Sequence, residues 1–197
     1  MGADREGAKR SAVPSLLLVA AVVVVASVLI LRSDVGVPPV VRGASAPTFE
    51  LSRLRMSDAE VDSAMALSAQ LGRVVLINFW ATWCEPCERE MPAMERLYQE
   101  LAGEQFELIA VAIDDNEADV RTFQERYQLS FPILLDPTQA VYGEYQTMGV
   151  PESLLIDRDG RVVERYVGPR EWDATSYVDR IRELIGGSRQ VPTPNAF

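Results

Sequence analysis

The sequence VVLINFWATWCEPC, residues 74–87, carries the pattern that decides the fold of this chain. Its first half is a nearly continuous apolar run rich in β-branched and aromatic residues, as expected of a central strand covered on both faces. The second half contains Cys84 and Cys87, and Pro86 between them fits the first turn of a helix, where a missing N–H costs little. The stretch therefore predicts a buried strand that leads directly into a helix.

Apolar patterns on both sides predict that strands and helices alternate along the chain. One predicted strand begins near Thr48, and the others span residues 74–80, 106–113, 133–135, 154–156 and 161–167. Two predicted helices span residues 57–71 and 85–101. A third is capped by Asp115 and Asn116. The last has an apolar face formed by Tyr177, Val178, Ile181, Leu184 and Ile185. From residue 74 onward, the order β-α-β-α-β-β-α predicts an α/β fold with a mixed β-sheet flanked by helices.

An uncharged segment from Ser11 to Leu31 precedes this domain. It is rich in Leu, Val and Ala, and at 1.5 Å per residue it is long enough to cross ~30 Å of hydrocarbon. Lys9 and Arg10 favour a cytoplasmic N-terminus, so the segment predicts one transmembrane signal anchor, with a cleaved signal peptide as the alternative. The predicted organisation is a cytoplasmic N-terminus over 1–10, the anchor over 11–31, a flexible linker over 32–46, the folded domain over 47–187 and a loose tail over 188–197.

The composition excludes several functions. The formal net charge is -10, whereas a nucleic-acid-binding protein would present a basic face. The chain has no histidine, which excludes His-based catalytic triads and His-rich metal sites. Its two cysteines are too few for a structural zinc site. We therefore expect no metal site and no nucleic-acid partner.

The two cysteines stand three positions apart at a predicted strand-to-helix junction, which favours redox chemistry. Free N–H groups and the dipole at a helix N-terminus stabilise an anion, so Cys84 is placed to become a thiolate. The thiolate is the attacking species in disulfide exchange, and a second thiol one turn away, Cys87, can resolve the mixed disulfide. A peroxidatic cysteine is not indicated, because Ala81 and Ile77 stand where a peroxiredoxin has threonine and proline.

Three motifs resemble those of the TlpA/ResA-like membrane-anchored extracytoplasmic thioredoxins. They are Asn78–Cys87, Glu90-Met91-Pro92 and Gly149–Asp157, within a match that covers most of residues 48–187. The resemblance implies a thioredoxin-like fold and a thiol-disulfide oxidoreductase, with Cys84 as the nucleophile and Cys87 as the resolving thiol. The predicted helix over 57–71 departs from the family, which has a Gly-containing hairpin there.

The resemblance also implies roles for the residues around the pair. Val150 and Pro151, joined by a cis peptide bond, would bind the substrate together with Trp83. Glu90 matches an acid that transfers protons in the family, and the alternative for this residue is a solvated position on the helix. The supporting residues are Glu85, Pro86 and Asn78, the last standing where cytoplasmic thioredoxins have a buried acid.

These patterns predict a single-pass protein of the bacterial cytoplasmic membrane, with its catalytic domain on the periplasmic side. We expect a monomeric protein-disulfide reductase that needs no cofactor beyond the Cys84–Cys87 disulfide. It would take electrons from a membrane thiol donor and reduce a client such as apocytochrome c, in cytochrome c biogenesis, or a copper-centre assembly protein. Glu85, Glu88 and Glu90 oppose a thiolate at Cys84, which favours a reducing couple. A thiol oxidase and a dithiol module that handles copper are the alternatives.

Overall fold

The computed structural model describes residues 22–23, 39–55, 63–114 and 116–187 of the chain. The segments predicted as cytoplasmic N-terminus and C-terminal tail lie outside the described residues. So does the predicted transmembrane segment over 11–31, except for Val22 and Val23, which are helical. Among the residues described, no helix is long and apolar enough to cross a membrane.

One mixed sheet forms the centre of the domain that begins at Pro39. Its described strands are β1 (Glu50–Arg53), β2 (Ala64–Ala66), β3 (Val74–Trp80), β4 (Phe106–Ala112), β5 (Ile133–Leu135), β6 (Glu152–Ile156) and β7 (Val162–Val167). They lie in the order β2-β1-β5-β4-β3-β6-β7. β4 pairs in parallel with β3 and β5, and the other pairings are antiparallel. The predicted mixed sheet is confirmed, and all side chains of β3 are buried, as its apolar run predicts.

Helices cover this sheet and leave their apolar faces in the core. They are α1 (Glu85–Glu100), α2 (Glu117–Tyr127), α3 (Ala140–Glu144) and α4 (Thr175–Gly186). The Asn116 side chain caps α2 by accepting a hydrogen bond from the Ala118 N–H at 3.0 Å, while Asp115 lies outside the described residues. The short α3 is not among the predicted helices, because five residues that include Gly143 give no clear helical period.

The predicted helix over 57–71 is wrong in the part that the structure describes. Residues 64–66 form β2, in which Met65 pairs with Leu51 of β1, and a 3₁₀ helix follows at Leu67–Gln70. Leu71, expected on the buried helix face, is 61% exposed. The spacing of apolar residues over so short a segment does not distinguish a helix from a strand. Pairing with the backbone of β1 determines that residues 64–66 form a strand. β1 and β2 are therefore an antiparallel pair in the region where the family resemblance implies a hairpin.

The described part of the predicted linker, residues 39–46, packs against β7 rather than hanging free. Gly43 N–H donates to the Val162 carbonyl at 2.7 Å, and Val162 N–H donates to the Ala44 carbonyl at 2.9 Å. Val40 and Ala46 are buried. These backbone groups find partners on the domain, so residues 39–46 belong to the folded domain, although they lack periodicity.

Because of the directions of β3, β6 and β7, three loops lie at one end of the sheet. β3 and β6 run antiparallel with Phe79 opposite Glu152, and β7 ends with Val167 opposite the same Glu152. The segment after β3, the segment before β6 and the segment after β7 therefore meet at this end. The candidate site lies on these segments.

Candidate active site

Cys84 lies at the N-terminus of α1, and Cys87 lies in its first turn. A disulfide joins them, with their Cα atoms 5.2 Å apart. Cys84 is the N-cap residue, and its sulfur accepts a hydrogen bond from the Cys87 N–H at 3.2 Å, while Pro86 occupies the first turn. Cys84 keeps a small exposed surface and Cys87 none. An external thiol or disulfide therefore has better access to the Cys84 sulfur, which the helix N-terminus also favours as an anion.

A buried carboxylate holds the loop that precedes Cys84. Asp114, just beyond β4, accepts a hydrogen bond from the Thr82 N–H at 3.1 Å to each of its oxygens, and a further one from the Thr82 hydroxyl. Trp83, the next residue, is 69% exposed. The contacts of Asp114 therefore fix the backbone that carries Trp83 and Cys84, while the Trp83 side chain stays in solvent beside the disulfide.

The loop before β6 reaches the same end of the sheet. The Val150–Pro151 peptide bond is cis, the geometry that the resemblance implies, and the Pro151 carbonyl accepts a hydrogen bond from the Gly168 N–H at 2.9 Å. The next residue, Glu152, is buried, accepts a hydrogen bond from the Met148 N–H at 3.3 Å and pairs with Arg165 of β7. These contacts hold the loop in place, and Met148 itself is 96% exposed.

Glu90 is buried one turn after Cys87, with only 2% of its surface exposed. Its Oε1 accepts a hydrogen bond from the Asn78 side-chain nitrogen of β3 at 2.9 Å. Its Oε2 accepts one from the Arg170 backbone N–H at 3.0 Å and one from the Trp172 indole N–H at 3.1 Å. The alternative prediction, a solvated helix position, is therefore wrong for Glu90.

This environment changes the proton affinity of Glu90. Burial raises the pKa of Glu90 from 4.5 to about 7, although the hydrogen bonds from Arg170, Asn78 and Trp172 and the positive charge of Arg170 oppose the shift. A carboxyl group that gains and loses its proton near neutral pH suits general acid–base catalysis. Because Cys87 and Glu90 are three residues apart on one helix, their side chains lie on the same face.

The other two acids near the pair are exposed or partnered. Glu85 forms an ion pair with Arg89 at 2.6 Å on the surface. Glu88 accepts a hydrogen bond from the Tyr127 hydroxyl and lies 3.7 Å from the guanidinium of Arg126. These partners offset part of the negative charge of Glu85 and Glu88. These two acids therefore disfavour a thiolate at Cys84 less than the buried carboxyl groups do.

Known protein families and structures agree with this geometry. The model of the AhpC/TSA family matches residues 42–165. The chain belongs to the AhpC/TSA family. Thiol-disulfide oxidoreductase ResA of Bacillus cereus is 38% identical to this AhpC/TSA member over 152 residues, which is 77% of this chain and 79% of the relative. Thioredoxin-like protein YneN of Bacillus subtilis is 36% identical over 140 residues, covering 70% of this chain and 76% of that relative.

A crystal structure assigned to a thiol:disulfide interchange protein DsbE of Chlorobium tepidum has the same fold. It superposes on this AhpC/TSA protein with a TM-score of 0.66 at 30% identity, over 75% of this chain and 99% of that one. The sequence relatives and the adjacent Cys84–Cys87 disulfide make the protein a thiol-disulfide oxidoreductase of thioredoxin-like fold, of the ResA and DsbE type. The predicted family and enzyme class are confirmed.

Several residues of the site in this AhpC/TSA protein are not among the predicted ones. They are Thr82, Asp114, Ser153, Arg170 and Trp172. Asp114 directly follows the apolar run that predicts β4. Side chains just beyond the carboxyl ends of strands often belong to functional sites, so the position of Asp114 in the sequence could have indicated its role. Trp172 and Arg170 contact Glu90 across 82 and 80 positions of sequence, and no motif surrounds them.

Proposed function

We propose that this thiol-disulfide oxidoreductase works as a reductase of protein disulfides outside the cytoplasm. The observation that carries the proposal is the buried Glu90 on the same helix face as the fully buried Cys87. A buried thiol loses its proton reluctantly, because a low-dielectric environment disfavours its anion. A nearby carboxylate that accepts protons near pH 7 removes this obstacle.

The reaction proceeds in two exchanges that conserve atoms and electrons. The Cys84 thiolate attacks a disulfide of the client, forms a mixed disulfide with one client sulfur and releases the other as a thiolate. Cys87 then gives its proton to Glu90, and its sulfur attacks the Cys84 sulfur and releases the second client sulfur. The client gains two electrons and ends as a dithiol, while the chain ends with the Cys84–Cys87 disulfide. The redox group in this proposal is the disulfide alone.

Buried acids near the pair support the reducing direction. Asp114 binds the backbone two residues before Cys84, and Glu90 follows on α1. A carboxylate close to Cys84 disfavours its thiolate, so the dithiol state is less stabilised than in a strong oxidant. A thiol oxidase, the alternative within redox chemistry, needs surroundings that stabilise the thiolate and therefore the dithiol state.

The cellular part of the proposal rests on the sequence. The uncharged segment over 11–31 would anchor the chain in the bacterial cytoplasmic membrane, with Lys9 and Arg10 on the cytoplasmic side and the domain on the periplasmic side. A membrane thiol donor would re-reduce the disulfide. The clients would be proteins with oxidised cysteine pairs, such as apocytochrome c or a copper-centre assembly protein. The exposed Trp83 and the Val150–Pro151 loop would contact them.

Trapping in native membranes tests this function. Cys87→Ser should retain attack by Cys84 and accumulate mixed disulfides with the client, whereas Cys84→Ser should trap nothing. Equilibration of the full chain with a glutathione buffer gives the direction, and a couple more oxidising than protein disulfide isomerase would indicate an oxidase. A copper-handling module would bind Cu(I) tightly and show no turnover of a disulfide substrate.

A further inference from the structure

The two oxygens of Glu90 differ in what they can do with a proton. Oε2 is held by the Arg170 backbone N–H and by the indole N–H of Trp172, a buried side chain. Both groups are donors only. A proton on Oε2 would face two N–H groups and would break their hydrogen bonds. When Glu90 is neutral, its proton therefore belongs on Oε1.

Oε1 has a partner that can reverse its role. The side-chain nitrogen of Asn78 donates one hydrogen bond to Glu90 Oε1 and one to the Ser153 hydroxyl oxygen, both at 2.9 Å. Asn78 is fully buried, and within the described part of the chain its Oδ1 has no hydrogen-bond partner. An amide offers two donors on one side and two acceptor lone pairs on the other. A half-turn of this amide would therefore replace both donors by an acceptor.

We propose that Asn78 turns its amide over whenever Glu90 gains or loses the proton on Oε1. With Glu90 ionised, the two N–H bonds of Asn78 point to Glu90 and to Ser153, as the structure shows. With Glu90 neutral, Asn78 Oδ1 accepts the Glu90 O–H and the Ser153 O–H, because a hydroxyl can donate as well as accept. Each state then has two hydrogen bonds through the amide, and each leaves one end of the amide unpaired.

This inference assigns Asn78 as a positioning residue for proton transfer, and it rests on the proposed role of Glu90. The proton that Cys87 gives up is the proton that Oε1 receives, and no electron moves in this step. Arg170, on the loop after β7, is the residue whose positive charge acts on Glu90. The neighbours on β3 and β6, Asn78 and Ser153, are uncharged.

Infrared difference spectroscopy of the oxidised full chain tests the turn directly. In this state the cysteines are joined, and the chain has no histidine, so neither residue type adds a titration near neutrality. The raised pKa of Glu90, about 7, places its acid band in this range. The sample carries ¹³C-labelled asparagine, and the signals of Asn116 and Asn195 are removed by subtracting the spectrum of Asn78→Leu. As the pH falls from about 9 to about 5, the Asn78 carbonyl band should move to lower frequency, in step with the appearance of the Glu90 acid band.

The outcomes separate this inference from the function on which it rests. An acid band of Glu90 that appears while the Asn78 carbonyl band stays fixed overturns the turn alone. No acid band in this pH range overturns both the turn and the proton role of Glu90. Asn78→Leu should raise the pKa of Glu90, because the charge-assisted hydrogen bond that the carboxylate loses is stronger than the O–H hydrogen bond that the neutral acid loses. Ser153→Ala removes the second partner of the amide in both states and leaves Oε1 and Asn78 in place, so the Asn78 carbonyl band should still shift together with the Glu90 acid band.

Discussion

Glu90→Gln replaces one buried carboxyl group by an amide of the same size, and its effect on stability should depend on pH. The folded-state pKa of Glu90 is about 7, against 4.5 for the ordinary group. As the pH rises through this window, the unfolded chain releases the proton first, so the unfolded state binds fewer protons than the folded one. The free energy of unfolding then falls with pH, and the loss from this residue reaches about 3 kcal/mol above pH 7.

The variant has no such titration at this position. The free energy of unfolding of Glu90→Gln minus that of wild type should therefore increase by about 3 kcal/mol as the pH rises from about 4 to about 8. Urea unfolding of the oxidised proteins at a series of pH values measures the difference, in which the contributions of the other carboxyl groups cancel. Glu88→Gln, a partly exposed acid on the same helix, is the control and should follow the wild-type curve. Parallel curves for Glu90→Gln and wild type would refute the claim that Glu90 is buried with a raised pKa.

The site makes three further predictions. Cys87→Ser should accumulate mixed disulfides with clients and Cys84→Ser should not, as judged on non-reducing gels, and equal trapping by both would contradict the assignment of the nucleophile. Asp114→Ala should lower the free energy of unfolding by about 1–3 kcal/mol, because the partly buried Thr82 N–H loses its acceptor, and urea unfolding measures it; a change below about 0.5 kcal/mol would show that Asp114 does not hold the loop. A thiol reagent that cannot cross membranes should label the reduced pair in spheroplasts, and protection until lysis would place the domain in the cytoplasm.

The central part of the fold could be predicted because its signals are local. The apolar run of β3 gives its strand bounds correctly at Val74–Trp80, and the spacing of Met91, Met94 and Leu97 gives α1 to within one residue at its C-terminus. The Cys84–Cys87 pair could be assigned because a strand-to-helix junction and a two-residue spacing point to the same chemistry.

The parts that failed depend on contacts between distant segments. Residues 64–66 became β2 because β1 offers a pairing partner, which no local period reveals. The burial of Glu90 comes from Trp172 and Arg170 on the loop after β7, far along the sequence. One local signal was present, since Glu90 stands four and seven positions before Met94 and Leu97 and so shares their buried face.

The central claim is that Glu90 takes the proton of Cys87 when the mixed disulfide is resolved, and single-turnover kinetics test it most directly. The reduced full chain is mixed with a peptide disulfide, and the rate of peptide dithiol release is measured against pH for wild type, Glu90→Gln and the control Glu88→Gln. With the peptide disulfide in excess, so that attack by Cys84 is fast and resolution by Cys87 limits the rate, the rate for wild type and Glu88→Gln should rise with an apparent pKa near 7, as Glu90 ionises. Near pH 7, Glu90→Gln should be slower by about 100-fold, the scale of general-base catalysis, and its rise should move to higher pH. A Glu90→Gln profile that coincides with wild type in rate and midpoint would contradict the claim.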